Sequence, residues 1–68
     1  MEDIRVGDVV VRQVYGAGIP AGREGTVLEV EPATEEREAH AIVNFGGAHV
    51  REPLPVRKLV FVRRPEGA

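Results

Sequence analysis

The sequence predicts an all-β fold, five short strands curled around one shared interior as a small closed or nearly closed barrel. Three observations carry this reading. Valine is the dominant apolar residue, and eight glycines and five prolines break its runs at short intervals, the pattern of short strands joined by tight turns. No window of about 11 residues shows a helical apolar stripe capped at both ends. Closing the sheet would also hide edges that a valine-rich chain of this size tolerates poorly.

The elements follow in order. The turn Val6-Gly7-Asp8 opens a first strand from Asp8 to Tyr15. Side chains alternate along a strand, so Val10, Arg12 and Val14 share one face, and Val9, Val11 and Gln13 the other. The segment 16–25 holds four glycines and a proline, which excludes a helix or central strand and predicts a long loop. A second strand runs from Thr26 to Glu31 and stops at Pro32. Ala33 to Ala39 is too short for a stable helix and reads as an exposed acidic loop, at most with one helical turn begun by Thr34. His40 to Phe45 forms a third strand, Gly46-Gly47 a hairpin turn, and Ala48 to Glu52 a fourth strand cut off by Pro53. Residues 54–59 read as a tight connection or one short 3₁₀ turn. Leu59 to Arg63 closes the domain, which spans residues 1–64, and residues 65–68 form a frayed tail. The expected core is Val6, Val10, Val27, Val30, Val43, Phe45, Val50, Leu54, Leu59 and Phe61.

Composition narrows the function classes. A chain of 68 residues makes one domain with a marginal core. Cysteine is absent, which excludes disulfides and thiolate metal sites and suits a cytoplasmic location. The start has no basic stretch followed by an apolar run, so no signal peptide is expected. The longest apolar runs are near three residues, far below the about 20 that span a membrane. The net charge of −2 argues against a dedicated nucleic-acid coater. Charge is uneven, however. Residues 1–50 carry four basic and nine acidic side chains, and residues 51–68 five basic and two acidic. A basic final segment on an acidic body hints at an anionic partner, although arginines of this kind also serve as a solvated, ion-paired face.

Gly7-Asp8-x-Val10, a glycine-rich loop and Gly22-x-x-Gly25-x-Val27 resemble the opening of Src-homology-3-like (SH3-like) small barrels. The order is similar to the KOW module of ribosomal and transcription-elongation proteins. Ala41-Ile42-Val43-Asn44-Phe45 and the closing Leu59-Val60 are similar to the barrels of the nitrile hydratase β-subunit and the photosystem I accessory subunit. The likeness covers roughly residues 4 to 62. It implies a five-stranded SH3-like barrel with a long loop after its first strand. Such barrels bind RNA or proteins, so the likeness does not select a function.

Catalysis is not expected. Serine and cysteine are both missing, which removes the commonest nucleophiles, and Thr26, Thr34 and Tyr15 carry the only hydroxyl side chains. An enzymatic or metal site would need completion by a second subunit. His40 and His49 flank the hairpin and, with Glu38 or Glu52, suggest a zinc or nickel site. Two histidines without thiolates read more simply as hairpin residues, and no metal or cofactor is expected. Glu29, Glu31, Glu35, Glu36 and Glu38 read as a solvated face. The expected binding surface is the loop with Tyr15 and Ile19, bracketed by Arg12 and Arg23, together with the tip carrying Asn44, His49 and Arg51. Tyrosine and arginine are enriched at interface hot spots, so the expected partner is another protein or a second copy of the chain. The alternative is a nucleic-acid contact through Arg12, Arg23, Arg51, Arg57 and Lys58.

Overall fold

The computed structural model describes residues 4–13 and 22–65. Among them are five strands and one 3₁₀ turn, with no α-helix: β1 (Val9–Arg12), β2 (Glu24–Glu31), β3 (His40–Asn44), β4 (Glu52–Pro55), the 3₁₀ turn Val56–Lys58 and β5 (Leu59–Arg63). They form one antiparallel sheet in the order β4-β3-β2-β1-β5. The all-β class and the strand number are those expected from sequence. No ladder joins β4 to β5 among the described residues.

β2, β3 and β4 form a meander from consecutive segments. β5 returns from the far end of the chain to pair with β1, Val11 opposite Val60 and Arg12 opposite Leu59. β2 is the longest strand and serves both halves. Its register shifts between Val27 and Glu29 against β3, and a bulge of this kind bends a strand and increases its twist. A second shift, between Val9 and Val10 against β5, bends the other pair.

Val10, Val27, Ala41, Val43, Phe45, Leu54 and Leu59 make one buried cluster, with Ile4 and Val56 packed against it. Three expected core valines fall outside it, Val6 at 64%, Val30 at 36% and Val50 at 49% exposed, and Phe61 is half-buried. Val6 lies in the Arg5–Asp8 turn, where Asp8 N–H donates to the Arg5 carbonyl (3.0 Å). Val50 sits in the bend after the hairpin tip. Val30 is opposite the buried Ala41 but near the end of its strand, where little lies over it.

The core tolerates no side chain at position 25. A Cβ there would stand 2.6 Å from Val43 Cγ1 and 2.7 and 2.8 Å from the Phe45 ring, so Gly25 lets those two side chains close over β2.

The fourth strand departs from expectation. It is Glu52–Pro55, not Ala48–Glu52. The hairpin turn is closed by Gly46 and His49, His49 N–H donating to the Gly46 carbonyl at 2.9 Å. Gly46 and Gly47 have φ of 84° and 58°, values that side chains with a Cβ rarely adopt. Phe45 N–H donates to the His49 carbonyl (2.8 Å), the chain bends at Val50 and Arg51, and pairing resumes in the same register at Val43 and Glu52.

Prolines at 53 and 55 then fit the strand for a geometric reason. Ladder bonds in an antiparallel pair fall on alternate residues, and Val56 N–H donates to the Ala39 carbonyl (3.0 Å). Leu54 and Glu52 therefore bond toward β3, while Pro53, opposite Ile42, and Pro55, opposite His40, face the open edge. Proline is accepted where its missing N–H points away from the ladder.

Smaller differences concern other ends. β2 begins at Glu24, two residues before the expected Thr26. β1 is Val9–Arg12, shorter than the expected Asp8–Tyr15, because Asp8 closes the preceding turn and Gln13 lies in a bend. Val14 and Tyr15 lie outside the described residues, as do residues 66–68 of the expected tail. Residues 32–39 form an exposed connection without a helical turn. Thr34 N–H donates to the Arg37 carbonyl (2.7 Å) and Thr34 Oγ1 accepts from Glu36 N–H (3.3 Å).

Candidate functional site

Two features converge on β5, an ion pair with a buried carboxylate that fixes its end and an apolar groove along its side. Asp8 is fully buried. Its carboxylate accepts Arg5 N–H at 2.8 Å, Arg64 Nε–H at 2.8 Å and Arg64 Nη2–H at 3.1 Å. The fork of the guanidinium suits this two-point grip. Arg64 also lies over the Phe61 ring, 5.4 Å from its centroid. The Arg64 hydrogen bonds hold the Asp8 carboxyl below its ordinary range. Burial opposes that shift, and the Arg5 amide and the charges of both arginines add to it. The sequence presents Gly7-Asp8 as a turn. Nothing local in it announces a partner 56 residues away.

The groove has a volume of about 440 Å³, and Ile4, Val56, Leu59, Val60 and Phe61 supply its apolar lining, joined by Gln13 and Arg57. The 3₁₀ turn positions Val56, and alternation along β5 leaves Val60 and Val62 on the outward face, 42% and 39% exposed. Ile4, Val56, Val60 and Phe61 were not among the expected surface residues. Val60 and Phe61 were visible only as part of an apolar last strand, which reads equally well as core, and Ile4 and Val56 lie outside every expected strand.

The expected site residues separate into three groups. Tyr15 and Ile19, with the loop between them, lie outside the described residues. Arg12 alternates with Val10 onto the inner face and is 9% exposed, so it does not offer a surface guanidinium. The remainder gather at the tip or enter ion pairs. Arg23 Nη2 stands 3.5 and 3.9 Å from where Cβ atoms of Gly46 and Gly47 would be, so the bare turn makes room for its guanidinium. Asn44 Oδ1 accepts Gly46 N–H (2.8 Å), and His49 Nδ1 is 2.9 Å from Glu52 Oε1.

Arg51 pairs with Glu29 across the sheet, and Arg57 Nε donates to Glu38 Oε1 at 2.6 Å. Arg63 reaches Glu24 at 3.1 Å. Because β1 lies between β5 and β2, that last pair crosses over β1. Among the cations proposed for nucleic acid, Arg51 and Arg57 thus already face carboxylates. Arg23 is exposed, and Lys58 is half-buried in the 3₁₀ turn.

His40 and His49 do not meet. His49 is opposite Gly46, six residues along the chain from His40, which at roughly 3.3 Å per residue is on the order of 20 Å. His40 Nδ1 lies 2.7 Å from the Glu38 carbonyl. That contact requires a proton on Nδ1, so the Arg37 Nε at 3.3 Å is a neighbour of the ring and not its donor. Among the described residues no group of three or more His, Asp or Glu is placed to hold a metal ion, and no helix is long and apolar enough to cross a membrane.

Compared with protein-family models, with curated proteins and with solved structures, the chain matches none.

Proposed function

We propose that this chain is a non-catalytic, SH3-like small binding module whose partner is a protein, engaged through the groove beside β5. One observation carries the reading. The described surface combines an apolar groove, flanked by exposed Val60 and Val62, with arginines that are largely occupied by carboxylates of the same chain. Covering apolar surface is favourable at roughly 25 cal/mol per Å². Drawing Arg51 or Arg57 onto a phosphate would first break an existing pair. The strand order β4-β3-β2-β1-β5 and the 3₁₀ turn before the last strand support the SH3-like reading. The KOW-like alternative keeps only Arg23 and Lys58 as cations without a carboxylate partner among the described residues, fewer than a phosphate-tracking surface needs.

The test is selection from a random-peptide display library against the immobilised chain, beside a low-salt gel shift with a homopolymer RNA. Enriched peptides should shift the amide resonances of Ile4, Val56 and Phe61, and Val60→Glu should abolish their binding. An RNA shift that weakens steeply with salt, without peptide enrichment, would overturn the proposal in favour of the nucleic-acid reading.

A further inference from the structure

The sheet has two edges of opposite character. Both outward-facing backbone positions of β4 between Glu52 and Pro55 are prolines, so that edge offers carbonyls and no N–H. The ladder fixes the other edge. Gln13 N–H donates to the Lys58 carbonyl (3.1 Å), which makes Gln13–Lys58 and Val11–Val60 the bonded pairs. Arg12–Leu59 and Val10–Phe61 are the non-bonded pairs. The N–H and C=O of Leu59 and Phe61 therefore point away from β1. Leu59 N–H is taken by the Val56 carbonyl. Phe61 N–H, Phe61 C=O and Leu59 C=O remain, and no described residue takes them up. They open beside the groove that Ile4, Val56, Leu59, Val60 and Phe61 line.

From this juxtaposition we infer that β5 takes an extended peptide as a sixth strand, one with alternating apolar and acidic side chains. Main-chain bonds to Phe61 and Leu59 supply the pairing, and the groove takes the apolar side chains, the division of labour of strand addition. Charge selects the acidic class. Lys58, in the 3₁₀ turn that leads into β5, has no carboxylate partner among the described residues. Arg57, which lines the groove beside it, is already paired with Glu38 and adds no net charge. Lys58 also disfavours a second copy of this chain. Antiparallel pairing of two β5 strands about Phe61 would set Lys58 of each copy against Arg64 of the other, whose guanidinium is held on its own Asp8, so Lys58 would meet no carboxylate there. The inference rests on the protein-binding reading above and names its ligand class.

The test uses the full chain, labelled with nitrogen-15, and the heptapeptide Glu-Val-Glu-Val-Glu-Val-Glu with blocked ends. Phe61 amide exchange should be fast without peptide and slow at least about tenfold when it is added. The lysine counterpart should bind about tenfold more weakly, and Lys58→Glu should narrow that difference. Two N-methylated versions of the peptide give the decisive readout. Blocking the amides of one alternating set should abolish binding, and blocking the other set should leave it intact, because only one set faces the edge.

If display-selected peptides bind the groove but tolerate both methylation patterns, strand addition is wrong while protein binding stands. If neither the heptapeptide nor any selected peptide binds, both fail. A Phe61 amide already protected in the free chain, as monomer or dimer, overturns the inference, since this chain would then cover its own edge.

Discussion

The β2–β3–β4 meander and the β1–β5 ribbon are built from the same valine-rich material but are held together differently. The meander joins neighbours in sequence through one tight turn and one exposed connection. Its outer face is charged, with Arg51–Glu29 and Arg37–Glu31 pairs, and its free edge is sealed by Pro53 and Pro55. The ribbon joins the first strand to the last, about which the local sequence says nothing. It depends on a buried carboxylate clamped by an arginine 56 residues away, and it leaves Val60 and Val62 exposed beside an edge that no described residue covers. Closing a long loop costs entropy that grows slowly with its length, so the ribbon needs a specific anchor where the meander needs only turns. The half that carries the greater entropic burden is also the half whose edge no described residue covers.

The comparison breaks most completely at Asp8. Asp8→Ala removes a buried acceptor of three hydrogen bonds and takes from the Arg5 amide its bond to that carboxylate, and it should destabilise the chain by about 3 kcal/mol in urea unfolding. Retained stability in that variant would mean that the ribbon is held by apolar packing alone. The pH dependence has a definite sign. The folded-state pKa of Asp8 lies below the ordinary 3.8, so its contribution is fully present above the unfolded value and is lost as pH falls through the folded one. Unfolding free energy measured across the acid range should therefore fall below about pH 4, and Asp8→Asn should flatten that decline.

Next in size is a change in β2, the strand both halves share. Gly25→Ala places a Cβ within 2.6 to 2.8 Å of Val43 and Phe45, closer than real contacts allow. Overpacking of this kind costs about 2 kcal/mol, to be read from the denaturation midpoint. An unchanged midpoint would show that the Phe45 ring can rotate aside, and that the core is looser than its burial implies.

The strand content, the 3₁₀ turn and the bounds of β5 were legible in the sequence because alternation, glycine and proline are local signals. Six of the ten expected core residues, Val10, Val27, Val43, Phe45, Leu54 and Leu59, are buried for the same reason. The fourth strand was misplaced because Pro53 reads as a stop, whereas at an edge its absent N–H is harmless. The site was far less legible. The Asp8–Arg64 pair and the groove joining Ile4 to Val56 and Phe61 are products of the closing of first strand on last, and no spacing rule encodes them. Arg12 reads as a surface cation by residue type, but the alternation that buries Val10 carries it inward too.

The edge contrast can be sharpened by removing the seal. Pro53→Thr with Pro55→Thr restores two outward N–H groups to β4 while changing stability by no more than about 1 kcal/mol for each substitution. The double variant should associate in a concentration-dependent manner by light scattering, because an unguarded edge invites pairing between chains. A variant that stays monomeric would show that the charged side chains of the meander guard this edge without help from proline.

The smallest effect belongs to the meander's ion pairs. Arg51 and Glu29 are 61% and 56% exposed, and two such side chains gain little in high dielectric while losing rotamer freedom. Arg51→Ala should therefore change unfolding free energy by about 0.5 kcal/mol or less, and added salt should shrink even that. The contrast with Asp8→Ala then measures what burial does to an arginine–carboxylate pair within one small sheet. A loss at Arg51 comparable to that at Asp8 would mean that the meander, too, is held by its charges, and the distinction between the two halves would disappear.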